Sequence, residues 1–247
     1  SPDQSLVAIG GTSKLVKVFD LASGEVLYQI KKHSEWVTQV SFSPDGILLA
    51  TADRNGGLHV WEAGTGNPFY SLLGHKAEIT DLSWRTDGNV LLSSSEDGGI
   101  RTWEMINGKS VKTWTAHSGG TLSAHFDEKG KVVSSGRDKT VKLWDENGKG
   151  IRTISGFKDI VMETRLSHDG TKVISGDWSG EIKVWNAMNG KLVGSLSGNP
   201  QTIQARILQA RASVEKARKD YNIAQQKLAP LVKACLLYTS DAADETE

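Results

Sequence analysis

The side chains that could carry metal or acid–base chemistry in this chain are few. Six histidines occur, and no two of them are four residues apart, the spacing by which a helix presents a pair of zinc ligands. They are His33, His59, His75, His117, His125 and His168. Cys235 is the one cysteine, which excludes an intrachain disulfide and a metal–thiolate cluster. The sequence therefore predicts no metal site and no cofactor.

The glycine pairs and acidic pairs do not indicate catalysis either. Gly10-Gly11 and Gly119-Gly120 lack the Walker pattern and open no helix, so they are not phosphate loops. Acidic pairs such as Glu96-Asp97 fall in turns between strands, where an Asp that bonds its own backbone is a sufficient explanation. Because no nucleophile–base set can be identified, we predict that the protein is not an enzyme.

The composition is that of an ordinary globular protein with a repeated β-unit. The 29 Lys and Arg balance the 29 Asp and Glu, so the net charge does not favour nucleic acid or an anionic membrane as a partner. No apolar run approaches the roughly 20 residues that span a bilayer. The 26 Gly and 8 Trp, against 5 Phe and 4 Tyr, indicate many turns and a recurrent tryptophan.

An aromatic residue followed by an acidic or amide residue ends a short β-like run five times, at intervals of 41 or 42 residues. These pairs are Phe19-Asp20, Trp61-Glu62, Trp103-Glu104, Trp144-Asp145 and Trp185-Asn186. Four runs of strand length lie between the turns, and in one repeat they are 36–42, 47–51, 58–62 and 69–72. Four strands that recur every ~40–45 residues are typical of a propeller blade.

These repeats resemble the WD40 family over residues 1 to about 197. His33, Gly74-His75 and Ala116-His117 stand where the family carries its Gly-His pair. Asp97 and Asp138 lie six residues before their tryptophans, at the family's turn aspartate. The resemblance implies that a His, an Asp, a strand Ser or Thr and a Trp form a hydrogen-bonded structural network inside a blade. It assigns this structural role to His33, His75, His117, Asp97, Asp138, Trp61, Trp103, Trp144 and Trp185.

Three repeats depart from this pattern. The first has Phe19 in place of the tryptophan and Ser13 in place of the aspartate. At the position of the aspartate, the second repeat has Asn55 and the last has Ser179. Each of these repeats has an aspartate two residues earlier, Asp53 and Asp177. The last repeat also lacks the histidine, and Phe157 stands in that region.

The expected fold is all-β, a WD40 β-propeller fragment followed by a long α-helix. We expect about five blades, at 1–31, 32–73, 74–115, 116–155 and 156–197. The first blade is expected to be incomplete, because Ser1-Pro2-Asp3-Gln4 aligns one period before the turn at 43–46. We therefore expect an open arc from a longer, bacterial-type protein, with further blades upstream.

Residues 198–234 are predicted to form a coiled-coil-like helix. Asn199-Pro200 is a helix-start signal, and Pro230 is expected to end or kink the helix. A solvated surface explains its basic residues better than a nucleic-acid or membrane contact. Residues 235–247 resemble an in-frame translation of a transposase sequencing adapter, so we expect an artefactual, disordered tail. Within the predicted coiled coil, apolar or small residues recur at alternating steps of four and three and form the seam of the helix. The seam residues are Ile203, Ile207, Ala210, Val214, Ala217, Tyr221, Ala224, Leu228 and Leu231.

The WD40 resemblance implies a non-catalytic scaffold that binds a protein partner on the propeller rim, with the helix serving oligomerisation or docking. The rim positions are Trp36, Glu96, Arg137 and Trp178, and Trp and Arg are enriched in interface hot spots. The alternative is an accessory domain of a larger exported bacterial protein, either redox (cytochrome-c-like) or hydrolytic. The compartment stays open between cytoplasm and periplasm.

Overall fold

The computed structural model describes residues 1–196 and 203–244 of the chain. The chain divides into two compact units, Ser1–Gly198 and Asn199–Glu247. Within the described residues, the first unit holds nineteen strands in five antiparallel sheets and the second holds one helix. The predicted fold class, with five blades followed by a helix, is confirmed.

Each sheet is built from consecutive strands and forms one blade. Blade 1 contains β1 (Leu6–Ile9), β2 (Val16–Asp20) and β3 (Val26–Ile30). Blade 2 contains β4 (Val37–Phe42), β5 (Leu48–Asp53), β6 (Leu58–Glu62) and β7 (Pro68–Ser71). Blade 3 contains β8 (Ile79–Trp84), β9 (Val90–Ser95), β10 (Gly99–Glu104) and β11 (Ser110–Thr115). Blade 4 contains β12 (Thr121–Phe126), β13 (Val132–Gly136), β14 (Val141–Trp144) and β15 (Gly150–Ile154), and blade 5 contains β16 (Val161–Leu166), β17 (Lys172–Asp177), β18 (Ile182–Asn186) and β19 (Leu192–Leu196).

In blades 2 to 5, burial falls from the second strand to the fourth. Every residue of β5 and of β13 is buried, so these strands are covered on both faces and do not alternate apolar with polar residues. The fourth strands β7, β11, β15 and β19 are mostly exposed. The blades therefore pack face to face around their second and third strands, and their fourth strands lie at the solvent side.

The apolar core consists of layers between neighbouring blades. In the layer between blades 2 and 3, Leu58 and Val60 pack with Leu91 and Trp103. In the part of the chain that the structure describes, an apolar core layer joins each blade to the next and none joins blade 5 to blade 1, so the five blades form an open arc. Equivalent layers join blades 1 and 2, 3 and 4, and 4 and 5 around Trp61, Trp144 and Trp185.

Two turn glycines bring successive blades into close contact. Gly98 has a φ of +83°, and a Cβ at this position would lie 2.6 Å from the carbonyl oxygen of His117 in the next blade. A Cβ at Gly56 would likewise lie 2.8 Å from the carbonyl oxygen of His75. Because glycine tolerates both the left-handed conformation and the close approach, these residues set the spacing between blades.

The first strands of blades 2 to 5 are the innermost strands, since β4, β8, β12 and β16 contact one another in order along the arc. In each of these first strands, the register against the second strand of the same blade shifts between the first and the third residue. A bulge of this kind redirects the side chain beside it. The side chains affected are those of Gln39, Asp81, Ser123 and Glu163.

Helix α1 spans Ile203–Asp244 and includes Pro230. The predicted start at Asn199-Pro200 lies outside the described residues. The helix continues past Pro230, where we expected an end or a kink, and through 235–244, where we expected a disordered tail. A proline removes one backbone donor but leaves the local hydrogen bonds beyond it intact, and the Leu and Ala residues of 231–244 favour helix.

The seam side chains that the structure describes are exposed. Ile207, Val214 and Tyr221 are 45%, 58% and 61% exposed. The described seam residues therefore form an exposed apolar stripe along the helix. Among the described residues, no helix combines the length and the apolar character needed to cross a membrane.

Candidate functional site

Blades 3 and 4 each contain a buried polar network. In blade 3, His75 Nδ1 lies 2.9 Å from Asp97 Oδ2, and His75 Nε2 lies 2.8 Å from Ser93 Oγ. Trp103 Nε1 donates to the same hydroxyl at 2.8 Å. The residues that the family resemblance grouped together are thus in contact in this blade. Blade 4 repeats the arrangement, with separations of 2.8 Å, through His117, Asp138, Ser134 and Trp144.

The donors and acceptors determine which nitrogen of the imidazole carries the proton. An indole N–H can only donate, so the Ser93 hydroxyl accepts from Trp103 and donates its own proton to His75 Nε2. His75 Nδ1 then donates to Asp97. Burial lowers the pKa of His75 although the carboxylate opposes this. Burial acts to raise the pKa of Asp97, but hydrogen bonds from His75 and from backbone N–H groups outweigh it and lower that pKa. The pKa directions of His117 and Asp138 in blade 4 are the same.

In blade 2 the network is completed by Asp53, which lies two residues before the position that the family offset indicates. His33 Nδ1 lies 2.9 Å from Asp53 Oδ2, and Thr51 Oγ1 lies 2.8 Å from both His33 and Trp61. Asn55, at the offset position, donates its backbone N–H to Asp53 Oδ1. The carboxylate therefore reaches the imidazole from the end of β5 instead of from the turn that follows.

Blade 5 keeps half of the network. Trp185 Nε1 donates to Ser175 Oγ at 2.9 Å. Phe157 occupies the place of the histidine, with its ring centre 5.2 Å from that of Trp185. Asp177 Oδ2 is buried and has no hydrogen-bond partner within the described residues. Replacing the histidine by phenylalanine thus leaves one carboxylate oxygen unpaired.

The four predicted partner-binding residues lie at two equivalent positions of the blades. Residues 54, 96, 137 and 178 follow the second strand, and each donates its backbone N–H to a carbonyl at the entry to the first strand. Glu96, Arg137 and Trp178 share one position in blades 3, 4 and 5, and Trp36 holds the facing position in blade 2. The pairs are Arg54 with Trp36, Glu96 with Glu78, Arg137 with Gly120, and Trp178 with Ile160.

Glu96 and Arg137 bind each other across the junction of blades 3 and 4. Arg137 Nε lies 2.9 Å from Glu96 Oε2, and Nη2 lies 2.6 Å from Oε1, which is a bidentate pair. Gly120 leaves room for it, since a Cβ there would lie 2.3 Å from Glu96 Oε2. The hydrogen bond to Glu96 raises the pKa of Arg137. This ion pair of Arg137 and Glu96, which we call the clamp, links blade 4 to blade 3.

Trp36 and Trp178 are the accessible members of the set. Trp178 is 68% exposed and Trp36 is 45% exposed. The Arg54 guanidinium lies 5.1 Å from the centre of the Trp36 ring, and its Nε lies 3.3 Å from Glu78 in blade 3. Trp36 is thus partly covered, and Trp178 presents the larger indole surface.

A family model described as "WD domain, G-beta repeat" matches residues 24–62, 66–104, 108–145 and 148–186, together more than half of the chain. The chain belongs to the WD40 family. This confirms the family that the sequence repeats resemble. Each matched segment ends one residue after the tryptophan of a blade, the same tryptophan that donates into the buried network.

Curated WD40 relatives match the chain over shorter stretches. It is 30% identical over 92 residues to "Autophagy-related protein 16" of Arabidopsis thaliana, covering 36% of this chain and 18% of that protein. It is 33% identical over 90 residues to "Apoptotic protease-activating factor 1" of Rattus norvegicus, covering 36% of this chain and 7% of that protein. A third relative, "Small ribosomal subunit protein RACK1" of Dictyostelium discoideum, is 33% identical over 66 residues, 24% of this chain and 20% of that protein. The chain therefore spans a quarter or less of the length of these relatives.

A solved structure supports the fold over most of the chain. The crystal structure of the computationally designed Ika8 protein superposes with a TM-score of 0.71 at 27% identity, covering 79% of this chain and 60% of the designed one.

A second polar cluster, which sequence reasoning missed, lies on the innermost strands of three WD40 blades. Asp81 of β8, His125 of β12 and Glu163 of β16 each place one possible ligand atom within 4.8 Å of the others. Burial raises the pKa of Asp81 to about 6, and burial together with the charge of Asp81 raises the pKa of Glu163 to about 7. The spacing of residues along the chain does not indicate this cluster, because each of its three residues comes from a different repeat. The available signal was that Asp81 and Glu163 occupy the same strand position, beside the bulge.

Proposed function

We propose that this WD40 chain is a non-catalytic scaffold that binds a protein partner through the rim that carries Trp36 and Trp178. The observation that supports this is the exposure of Trp178, 68%, at a position where blades 3 and 4 have the paired residues Glu96 and Arg137. Indole side chains bury a large area at small entropic cost and are frequent binding hot spots. The clamp between Glu96 and Arg137 would hold neighbouring blades rigid beneath the partner.

The first experiment is site-specific photo-crosslinking of the full chain in cell extract. A benzophenone amino acid replaces Trp178, and in a matched variant it replaces Ile47, which is 64% exposed in the turn before β5. We expect a defined crosslinked protein from position 178 and none from position 47. Equal crosslinking at both positions would contradict the assignment to this rim.

The partner identified in this way is then used to measure affinity. Trp178→Ala and Trp36→Ala are expected to weaken binding by about tenfold or more, the effect typical of an interface hot spot. Arg137→Ala is expected to weaken it less, because its guanidinium is held by Glu96. Ile47→Ala serves as the control and should bind like the wild type. Unchanged affinity in both tryptophan variants would show that the partner docks elsewhere.

We also propose that helix α1 associates with a second helix through its seam, because Ile207, Val214 and Tyr221 are exposed apolar residues at alternating spacing. Analytical ultracentrifugation of the full chain should show self-association that Val214→Glu abolishes. Ile223→Glu is the matched control, since Ile223 is 52% exposed but lies off the seam. A wild-type chain that stays monomeric at all concentrations would contradict self-association through this helix. The accessory-domain alternative stays a prediction.

A further inference from the structure

The cluster of Asp81, His125 and Glu163 lies apart from the rim and from the blade networks. His125 Nε2 is 2.6 Å from Asp81 Oδ2 and 3.2 Å from Glu163 Oε1. Asp81 and His125 are buried, whereas about half of the Glu163 side chain is exposed and opens the cluster to solvent. One imidazole nitrogen and two carboxylate oxygens therefore converge on a small volume with one accessible side.

The imidazole of His125 distinguishes this cluster from an ordinary ion pair. Its Nε2 is buried and has no hydrogen-bond partner among the described residues, although Asp81 Oδ2 is within 2.6 Å. Because the separation is within hydrogen-bond range, the missing hydrogen bond reflects poor alignment between the ring nitrogen and the carboxylate oxygens. A buried nitrogen without an aligned partner is costly. A cation would satisfy it together with both carboxylates, once Nε2 and Asp81 Oδ2 separate to the roughly 3.3 Å that tetrahedral zinc ligands at about 2.0–2.1 Å keep.

Other hydrogen bonds hold the two carboxylates in place. Asp81 Oδ1 accepts the backbone N–H of Leu82 at 2.9 Å, and Asp81 Oδ2 accepts that of Ala124, in the next blade, at 3.1 Å. Ser123 Oγ donates to Glu163 Oε1 at 3.1 Å. Outer contacts of this kind orient the ligands of a metal ion.

The charge of the cluster also favours a cation. Arg165 Nε lies 3.2 Å from Glu163 Oε1, so one positive charge faces the two carboxylates of Asp81 and Glu163. When both carboxylates are ionised, two negative charges face the one guanidinium, which leaves a net negative charge. A divalent cation at their centre would offset it.

We propose that Asp81, His125 and Glu163 bind one divalent transition-metal ion of the zinc class. Imidazole together with carboxylates suits Zn²⁺ and its neighbours, whereas Mg²⁺ and Ca²⁺ prefer oxygen ligands alone. Because the three ligands come from β8, β12 and β16, the ion joins blades 3, 4 and 5 and stiffens the arc. The proposal is independent of the partner-binding function of the rim.

The test is a zinc titration of the full, untagged chain carrying Cys235→Ser, which removes its one thiol. Isothermal titration calorimetry should show saturation at one equivalent of Zn²⁺, and thermal unfolding should move to higher temperature with ZnCl₂ but not with MgCl₂. His125→Gln should weaken zinc binding by more than about 100-fold, since even the outer contacts of metal ligands are worth roughly 10–100-fold. His168→Gln is the matched control, because His168 is exposed and lies outside the cluster.

Glu163→Gln provides a second variant at a half-exposed position, so the test holds even if His125→Gln does not fold. Loss of the single zinc equivalent in either variant, with its retention in His168→Gln, supports the site. Absence of saturable binding in the parent chain overturns it, and so does equal zinc binding by all variants. Co²⁺ in place of Zn²⁺ should give ligand-field bands of nitrogen and oxygen ligands that disappear in Glu163→Gln, and unchanged bands would also overturn the proposal.

Discussion

The blade networks and the inner-strand cluster use the same residue types in different ways. In blade 3, both ring nitrogens of His75 have hydrogen-bond partners, and all of these partners belong to the same blade. In the cluster, His125 Nε2 has no hydrogen-bond partner in the described residues, and its neighbours come from two other blades. A histidine beside an aspartate is therefore structural or ligand-binding according to whether its hydrogen bonds are complete.

The carboxylates of the two regions have opposite net pKa shifts, because hydrogen bonds outweigh burial at Asp97 but not at Asp81 and Glu163. Burial lowers the pKa of His75, which stays a neutral imidazole beside a charged Asp97. Burial raises the pKa values of Asp81 and Glu163, so it disfavours the ionised form of both carboxylates. The blade network is thus complete by itself, whereas the cluster gains from an added positive charge.

Removing the hydroxyl at the centre of a blade network should produce the largest loss of stability. Ser134→Ala leaves both Trp144 Nε1 and His117 Nε2 without a partner, so we expect the free energy of unfolding to fall by about 2–4 kcal/mol. Ser135→Ala is the matched control, because Ser135 is its buried neighbour in β13 with no partner in the described residues. It should change stability by less than about 1 kcal/mol. Urea unfolding followed by tryptophan fluorescence measures both, and equal losses would show that the network does not stabilise the blade.

The aspartate of blade 2 comes next in expected size. Asp53→Asn replaces the charged acceptor of His33, so we expect a loss of about 1.5–3 kcal/mol in the free energy of unfolding. Asn55→Ala, at the position that the family offset indicates, should change it by less than about 0.5 kcal/mol. Urea unfolding of both variants compares them directly. A larger effect at Asn55 than at Asp53 would show that the network of blade 2 is assigned to the wrong residue.

Acid should destabilise the fold through a buried histidine whose pKa is lowered. Burial, with repulsion from His33 and Lys32 and against the attraction of Asp53, lowers the pKa of His59 to about 4. The unfolded chain, with a histidine pKa of about 6.5, takes up the proton first as the pH falls, so stability decreases below that pH. We expect His59 alone to cost about 2 kcal/mol at pH 5. Urea unfolding at pH 7 and pH 5 should show a smaller decrease in His59→Gln, and an equal decrease in both chains would contradict the shift.

The smallest effect is expected at a residue that belongs to neither region. Trp178→Ala removes a side chain that is 68% exposed, so the free energy of unfolding should change by less than about 0.5 kcal/mol. This separates Trp178 from the buried tryptophans such as Trp103, which is 2% exposed. Urea unfolding of the variant measures it. A loss above about 1 kcal/mol would mean that Trp178 covers its blade instead of serving a partner.

The sequence alone determined the repeat, the family and the sites of the blade networks. The spacing of Trp61, Trp103 and Trp144, the turn glycines and the His and Asp offsets are local properties, and a blade is a local unit of consecutive strands. The offset was misleading at Asp53, which ends β5 at the position that Ser95 holds in β9 and whose carboxylate still reaches His33. On the rim, the types and positions of the candidates were predictable, but not that Arg137 is held by Glu96 while Trp178 remains exposed.

The tertiary structure decided what lies between blades. Asp81, His125 and Glu163 are about forty residues apart along the chain and meet because the innermost strands of three blades pack side by side. Bulges in β8 and β16 redirect the side chains of Asp81 and Glu163, and no local pattern in the sequence specifies that direction. Helix α1 shows the converse, since its hydrogen bonds are local and continue past Pro230, where the sequence predicted an end or a kink. Contacts within one repeat follow from local spacing, whereas contacts between repeats depend on how the sheets pack.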